Sequence, residues 1–206
     1  PVPDEGGMIK RSWFKVWKEA APPKLEFTIQ SWDTALDNKE TDAYSAVSTW
    51  GVFKDPQATE NNMKNVILLQ AQRFRLQYPE LRAMAQRMAY DWRDDEPGNP
   101  IKHSKENKVG PHRPDMILVE AKVSGISLIQ DLHRAGIMAT RFDPSRHGDK
   151  MGRVRLISHF IENGRVWVPS NPPTYHDLRD YAELMVTQCT AFPNADSRDM
   201  VDTLTQ

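Results

Sequence analysis

Two apolar runs in this chain end in a carboxylate. "LEFTIQSW" runs into Asp33, and "MILV" runs into Glu120. A third acidic group, Asp196, Asp199 and Asp202, opens the last stretch, and Asp199 and Asp202 are three apart, on one face of a helix. In open α/β sheets, sites form where strands end. Carboxylates gathered there from distant parts of a chain repel one another, and they stay ionised together only around a cation. Hard oxygen donors favour Mg²⁺ or Mn²⁺. Two such ions can activate a water and stabilise a leaving oxygen in phosphodiester cleavage. Each acid also has a plainer reading. A strand ending in Asp or Glu is common, and Asp near a helix start often caps it or faces its dipole.

The elements that must position these acids follow from periodicity. Strands are expected at Leu25–Trp32, Ala43–Val52 and Asn65–Phe74, forming a meander, with Asn38–Thr41 as a turn. A helix is expected over Leu81–Trp92, then a Gly/Pro/Lys-rich loop over about 94–114. Met116–Val119, wholly apolar, reads as a buried central strand. Ser127–Arg134 reads as a helix closed by Gly136, Met138–Asp143 as a strand, and Lys150–Glu162 as a helix closed by Asn163-Gly164. Val166–Val168 is a short extended piece, Tyr175–Ala191 a long helix, and a last helix starts near Ser197. Three meandering strands followed by alternating helices and strands predict an α/β fold, a mixed sheet with helices on its faces. Residues 1–24, punctuated by Pro and Gly, read as a linker or interdomain tail in which only Met8–Trp17 has the makings of an ordered piece. The domain proper is expected over 25–206, as a fragment of a longer chain.

Composition narrows the class. The 206 residues are 39% hydrophobic and 27% charged, which suits one globular domain with a sizeable core. No apolar run reaches the roughly 18–20 residues of a membrane span. Cys189 is the single cysteine, so a disulfide framework and a Cys-based zinc site are excluded. No two histidines show the i, i+4 spacing of a zinc helix; His103, His112 and His147 fall in loops. The net charge is -1, yet basic residues cluster locally. Lys102, His103, Lys105, Lys108, His112 and Arg113 form one group; Arg141, Arg146, Lys150, Arg153 and Arg155 form another. Such segments are either phosphate contacts or solvated loops. Asp42, at the start of the second strand, reads as a turn or register residue. Trp32 should face away from Asp33, since strand neighbours alternate. The residues alone point to an α/β domain with a candidate acidic metal site.

Several stretches also carry a family resemblance. "SWDTA" with "TDAYSAVSTWG" resembles the first hairpin of the large terminase subunit of tailed bacteriophages. "ILVEAKVSGISLIQDL" resembles that family's "VEDKASG-SLIQDL" stretch, "GRVWVPS" a recurrent strand before its long helix, and "FPNADSRDMVDTLTQ" its closing acidic pattern. They occur in the family's order and cover about residues 25–206. The resemblance implies the C-terminal nuclease domain of that subunit, an RNase H-like fold with an antiparallel first hairpin and meander followed by parallel strands. It implies a Mg/Mn-dependent endonuclease that holds two ions and cuts concatemeric double-stranded viral DNA during packaging in the host cytoplasm. Implied partners are DNA, the ATPase motor domain of the same subunit, the small terminase subunit and the portal protein, with no membrane. No Gly-x-x-x-x-Gly-Lys-Ser/Thr loop of a motor occurs in these 206 residues.

Carried over residue by residue, the family's first-strand acid falls on Asp33, which would bridge both ions. Its Glu-Asp pair falls on Glu120 and Ala121, so the second acid is missing. Its His-Asp-Asp run falls on Ser197, Arg198 and Asp199, leaving Asp199 as third ligand and Asp202 in reserve. Lys122 matches a family lysine and would touch the scissile phosphate or tune the carboxylate. Ser124-Gly125 would make a tight turn into the next helix. Lys102, Lys105, Lys108, Arg113, Lys150, Arg153 and Arg155 would be DNA contacts. Two readings compete: a Holliday-junction resolvase or integrase-type nuclease of the same fold, and a catalytically degenerate DNA-binding or portal-docking module.

Overall fold

A β-rich meander sits at the centre of the molecule, its strands burying side chains on both faces. The computed structural model describes residues 7–35, 44–54, 63–91, 113–194 and 199–206. The strands are β1 (Lys15–Trp17), β2 (Leu25–Asp33), β3 (Ser45–Lys54), β4 (Lys64–Phe74), β5 (Met116–Glu120), β6 (Thr140–Phe142) and β7 (Val166–Pro169). The helices are α1 (Tyr78–Tyr90), α2 (Val123–Arg134), α3 (Lys150–Glu162), α4 (Asp180–Ala191) and α5 (Asp199–Leu204). The sheet order is β1-β7-β4-β3-β2-β5-β6. β2, β3 and β4 are antiparallel; β5 joins β2 in parallel, β6 joins β5, and β7 joins β4. This is the mixed sheet that the element order predicts.

β3 is buried from Ser45 to Phe53, as a central strand covered on both faces must be. One face carries α1 and α2 over Trp32, Val47, Leu81, Met88 and Leu128. The other carries α3, α4 and α5 over Trp50, Val154, Met185 and Val201. Trp32 is fully buried in the first of these cores, and its indole N–H donates to Gln30 Oε1 at 2.8 Å. It therefore faces away from the end of β2, as alternation requires.

Three boundaries differ from the sequence reading. First, within the tail expected over 1–24, the piece Met8–Trp17 read as able to be ordered is part of the sheet and core. β1 pairs in parallel with β7, and Ile9 and Phe14 are buried in the core under α4. A three-residue strand carries too little pattern to be read locally; its partner lies some 150 residues away. Second, the helix expected from Tyr175 starts at Asp180. Tyr175 has φ 54°, which a right-handed helix forbids, and Leu178 bridges back to Ser170. Third, Ser124 and Gly125 are not a turn before a helix but lie in the first turn of α2.

Candidate functional site

The parallel register of β2 and β5 pairs Trp32 with Val119. One residue further on, Asp33 and Glu120 stand side by side at the C-terminal ends of their strands. Both are buried, at 5% exposure. Carboxylates so placed cannot both ionise without a cation. Here that cation is Lys122. Its Nζ lies 2.7 Å from Asp33 Oδ1 and 3.1 Å from Glu120 Oε2. Lys122 is the N-cap residue of α2 rather than a strand extension, but its long side chain still reaches the pair.

The electrostatics follow from this geometry. Burial, then the neighbouring Glu120, push the Asp33 carboxyl up to about 7, and Lys122 only partly opposes them. Burial pulls the Lys122 ammonium down, but the two carboxylates outweigh it and hold its pKa above the ordinary lysine value. Glu120 Oε2 is buried and accepts no well-aligned hydrogen bond, although the ammonium is near. A buried, under-coordinated carboxylate oxygen beside a second carboxylate is a donor set suited to a hard divalent cation.

The frame that holds this pair is dense. Thr34 Oγ1 and Ser124 Oγ lie 2.8 Å apart, and Ser124 Oγ donates to Thr34 O at 3.0 Å. These contacts tie the end of β2 to the first turn of α2. The Ala121 N–H donates to Phe142 O at 2.7 Å, continuing the β5–β6 ladder past Glu120. Gly125 lets α2 approach: a Cβ there would lie 1.9 Å from Glu120 O. Gly125→Ala must therefore displace either the helix or the Glu120 backbone, an overpacking cost of about 1–3 kcal/mol. A thermal melt should fall by several degrees. An unchanged melt would show that α2 yields freely.

The third corner comes from α5, which packs across β2 and β3. The Met200 N–H donates to Gln188 Oε1 at 3.0 Å, and Ser31 Oγ donates to Gln206 Oε1 at 2.7 Å. The Asp202 carboxyl senses the Asp33 charge and Lys122. Burial raises its pKa first, Lys150 opposes, and Asp33 raises it further. Asp199 Oδ2 lies 4.0 Å from Arg73 Nη1. Among the described residues, no three Asp, Glu, His or Cys side chains form a ready-made metal set. The buried pair fits a cation; the third ligand is not drawn in around it.

Two basic residues expected as phosphate contacts form ion pairs within the chain. Lys150 Nζ lies 2.7 Å from Asp202 Oδ2, and Arg153 Nη2 3.7 Å from Asp202 Oδ1. Asp202 is half-buried, which favours local counter-charges. Arg155 is exposed on α3, and the Arg113 guanidinium lies over the Tyr90 ring, 4.7 Å from its centroid. His147 stacks on Phe142 at 5.0 Å. Lys102, Lys105, Lys108, His103, His112, Asp42, Asp196, Ser197 and Arg198 lie outside the described residues. Tyr44, Arg73 and Arg75 lie at the same sheet end and were not among the expected site residues. Their signal was the alternation of basic residues in Arg73-Phe74-Arg75.

With this geometry in place, comparison with known families is decisive. The model of the terminase RNaseH-like domain matches residues 67–206. The chain belongs to that family. The matched span takes in Glu120, Lys122, Asp199 and Asp202, while β2 with Asp33 precedes it. No curated protein and no solved structure matches. The terminase RNaseH-like domain is a nuclease-type domain, in accord with the sheet order and with carboxylates at its strand ends. Among the described residues, no helix is long and apolar enough to cross a membrane.

Proposed function

We propose that this terminase RNaseH-like domain is a metal-dependent endonuclease that cuts concatemeric double-stranded DNA during viral genome packaging. The observation that carries this reading is the adjacency of Asp33 and Glu120, both buried, at the ends of neighbouring parallel strands. Asp33 and Glu120 would hold Mg²⁺ or Mn²⁺, with Asp202 or Asp199 of α5 completing the set. When bound, two such ions supply an activated water and stabilise the leaving 3′-oxygen.

The chain's own groups do the rest. β2 and β5 hold the two carboxylates in fixed register, so the donor oxygens need no reorganisation. Lys122 balances the charge of the pair, with its Nζ 2.7 Å from Asp33 Oδ1 and 3.1 Å from Glu120 Oε2. Burial and the neighbouring Glu120 make Asp33 hold a proton more tightly than a free carboxyl does. In this reading, duplex DNA is the substrate and the motor domain of the full-length subunit feeds it. The small terminase subunit and the portal are the assembly partners, and the host cytoplasm is the place of action.

The purified chain should convert supercoiled plasmid to nicked and linear forms with Mn²⁺ or Mg²⁺, and EDTA should stop the reaction. Absence of cleavage with either ion would overturn the proposal. One observation favours a second reading, a DNA-gripping module with a sealed site. Asp33, Glu120 and Asp202 each already carry an ion pair from within the chain. Calorimetry separates the two: the sealed module binds duplex DNA but no Mn²⁺.

A further inference from the structure

The residues across the site end of the sheet form a continuous row. Asp33 on β2 pairs with Ala46 on β3, and Ala46 pairs with Arg73 on β4. Residues directly opposite across antiparallel strands project from the same face. Arg73 therefore stands on the Asp33 face, two strands away, roughly 10 Å at ordinary strand spacing. Only the methyl group of Ala46 stands between them in that row.

Arg73 is not alone. Its guanidinium lies 4.4 Å from the centroid of the Tyr44 ring, and that of Arg75 lies 4.3 Å from the same centroid. Tyr44 precedes β3 directly, and Arg75 follows β4 directly. Two like-charged guanidiniums held by one ring form a preorganised, strongly positive surface on a rigid sheet end. The natural complement is an anion with several oxygens that accept forked hydrogen bonds.

The site needs such a surface. Buried carboxylates repel a phosphodiester backbone, so cationic groups close by must hold it. Tyr44, Arg73 and Arg75 are at the right end of the sheet and at a useful distance. We propose that they form a landing site for DNA-backbone phosphates, a few nucleotides from the phosphate that Asp33 and Glu120 address. The proposal rests on the nuclease reading. Arg73 also approaches Asp199, so a phosphate arriving there competes with that acid for the guanidinium.

The test is equilibrium binding of a fluorescent 30-base-pair duplex in EDTA, followed by anisotropy over a range of salt. Wild type should show a steep fall of affinity with salt. Arg75→Gln should weaken binding several-fold and flatten the slope of log K against log salt by about 1; Arg73→Gln with Arg75→Gln should flatten it by about 2. Arg75→Lys, which keeps the charge, should retain the slope. Lys24→Gln removes the same charge just before β2, at the sheet end opposite Asp33, and should leave affinity and slope near wild type. Equal effects of Lys24→Gln and Arg75→Gln, or no effect of Arg75→Gln, overturn the landing site. Arg75 is exposed, so its substitution spares the fold; circular dichroism checks this. Failure of wild type to bind the duplex at all counts against the nuclease reading itself, and the landing site falls with it.

Discussion

Asp33→Asn abolishes plasmid cleavage in Mn²⁺ or Mg²⁺ and leaves the fold intact. The substitution keeps size and shape but removes the negative charge at the centre of the candidate site. Loss of one central carboxylate forfeits several kcal/mol of ion-borne transition-state stabilisation. That corresponds to roughly a 10³-fold fall in rate or more. Stability should not suffer, because a buried amide is cheaper to desolvate than a buried carboxylate. Lys122 also keeps Glu120 as a partner. A nicking assay beside a thermal melt checks both halves. Cleavage at the wild-type rate would remove Asp33 from the mechanism, and with it the argument from paired strand ends.

Lys122→Met produces the opposite pattern: a damaged resting protein. Methionine preserves much of the apolar stem but leaves Asp33 and Glu120 without their counter-ion. Removing one partner of a buried ion pair costs several kcal/mol. Half of the Lys122 side chain is in water, so the lower end applies, about 3 kcal/mol in the absence of a metal. The pH profile carries a second signature. In the wild type, Asp33 binds its proton more tightly folded than unfolded, with its pKa pushed to about 7 against a usual 3.8. Its contribution to stability is therefore full below about pH 4 and is lost as pH rises through about 7. Without Lys122 that loss should continue to higher pH. Denaturation midpoints from pH 4 to 9, with and without Mn²⁺, provide the measurement. Mn²⁺ should stabilise the variant more than the wild type, because the ion replaces the missing positive charge. Identical pH profiles for the two proteins would show that the ammonium does not govern the pair.

Much of this site could be read from local sequence, and the limits have physical causes. Asp33 and Glu120 were legible because each closes an apolar run that can only be a buried strand. Their adjacency was not legible, since it depends on a parallel register between segments almost ninety residues apart. The mixed sheet followed from the meander and the alternating elements that come after it. β1 did not, because three residues carry no usable period. Lys122 was placed on the correct side for an inexact reason: it caps a helix, and a long flexible side chain does the reaching. Lys150 and Arg153 were expected as phosphate contacts, and their pairing with Asp202 was not legible, because a basic cluster reads the same whether it points to solvent or to an acid within the fold. Only tertiary packing places Asp202 beneath them.

The candidate site draws Asp33 from an early strand, Glu120 from the middle of the chain and Asp202 from a helix near residue 206. Contacts so far apart in sequence are among the last to form, because loop closure must precede them. A partly made or partly folded copy would hold β2 without its parallel neighbour and without the closing helix. On the nuclease reading, it would lack cutting power. The long reach of these contacts would then act as a safety interlock, with hydrolytic capacity arriving only with the finished fold.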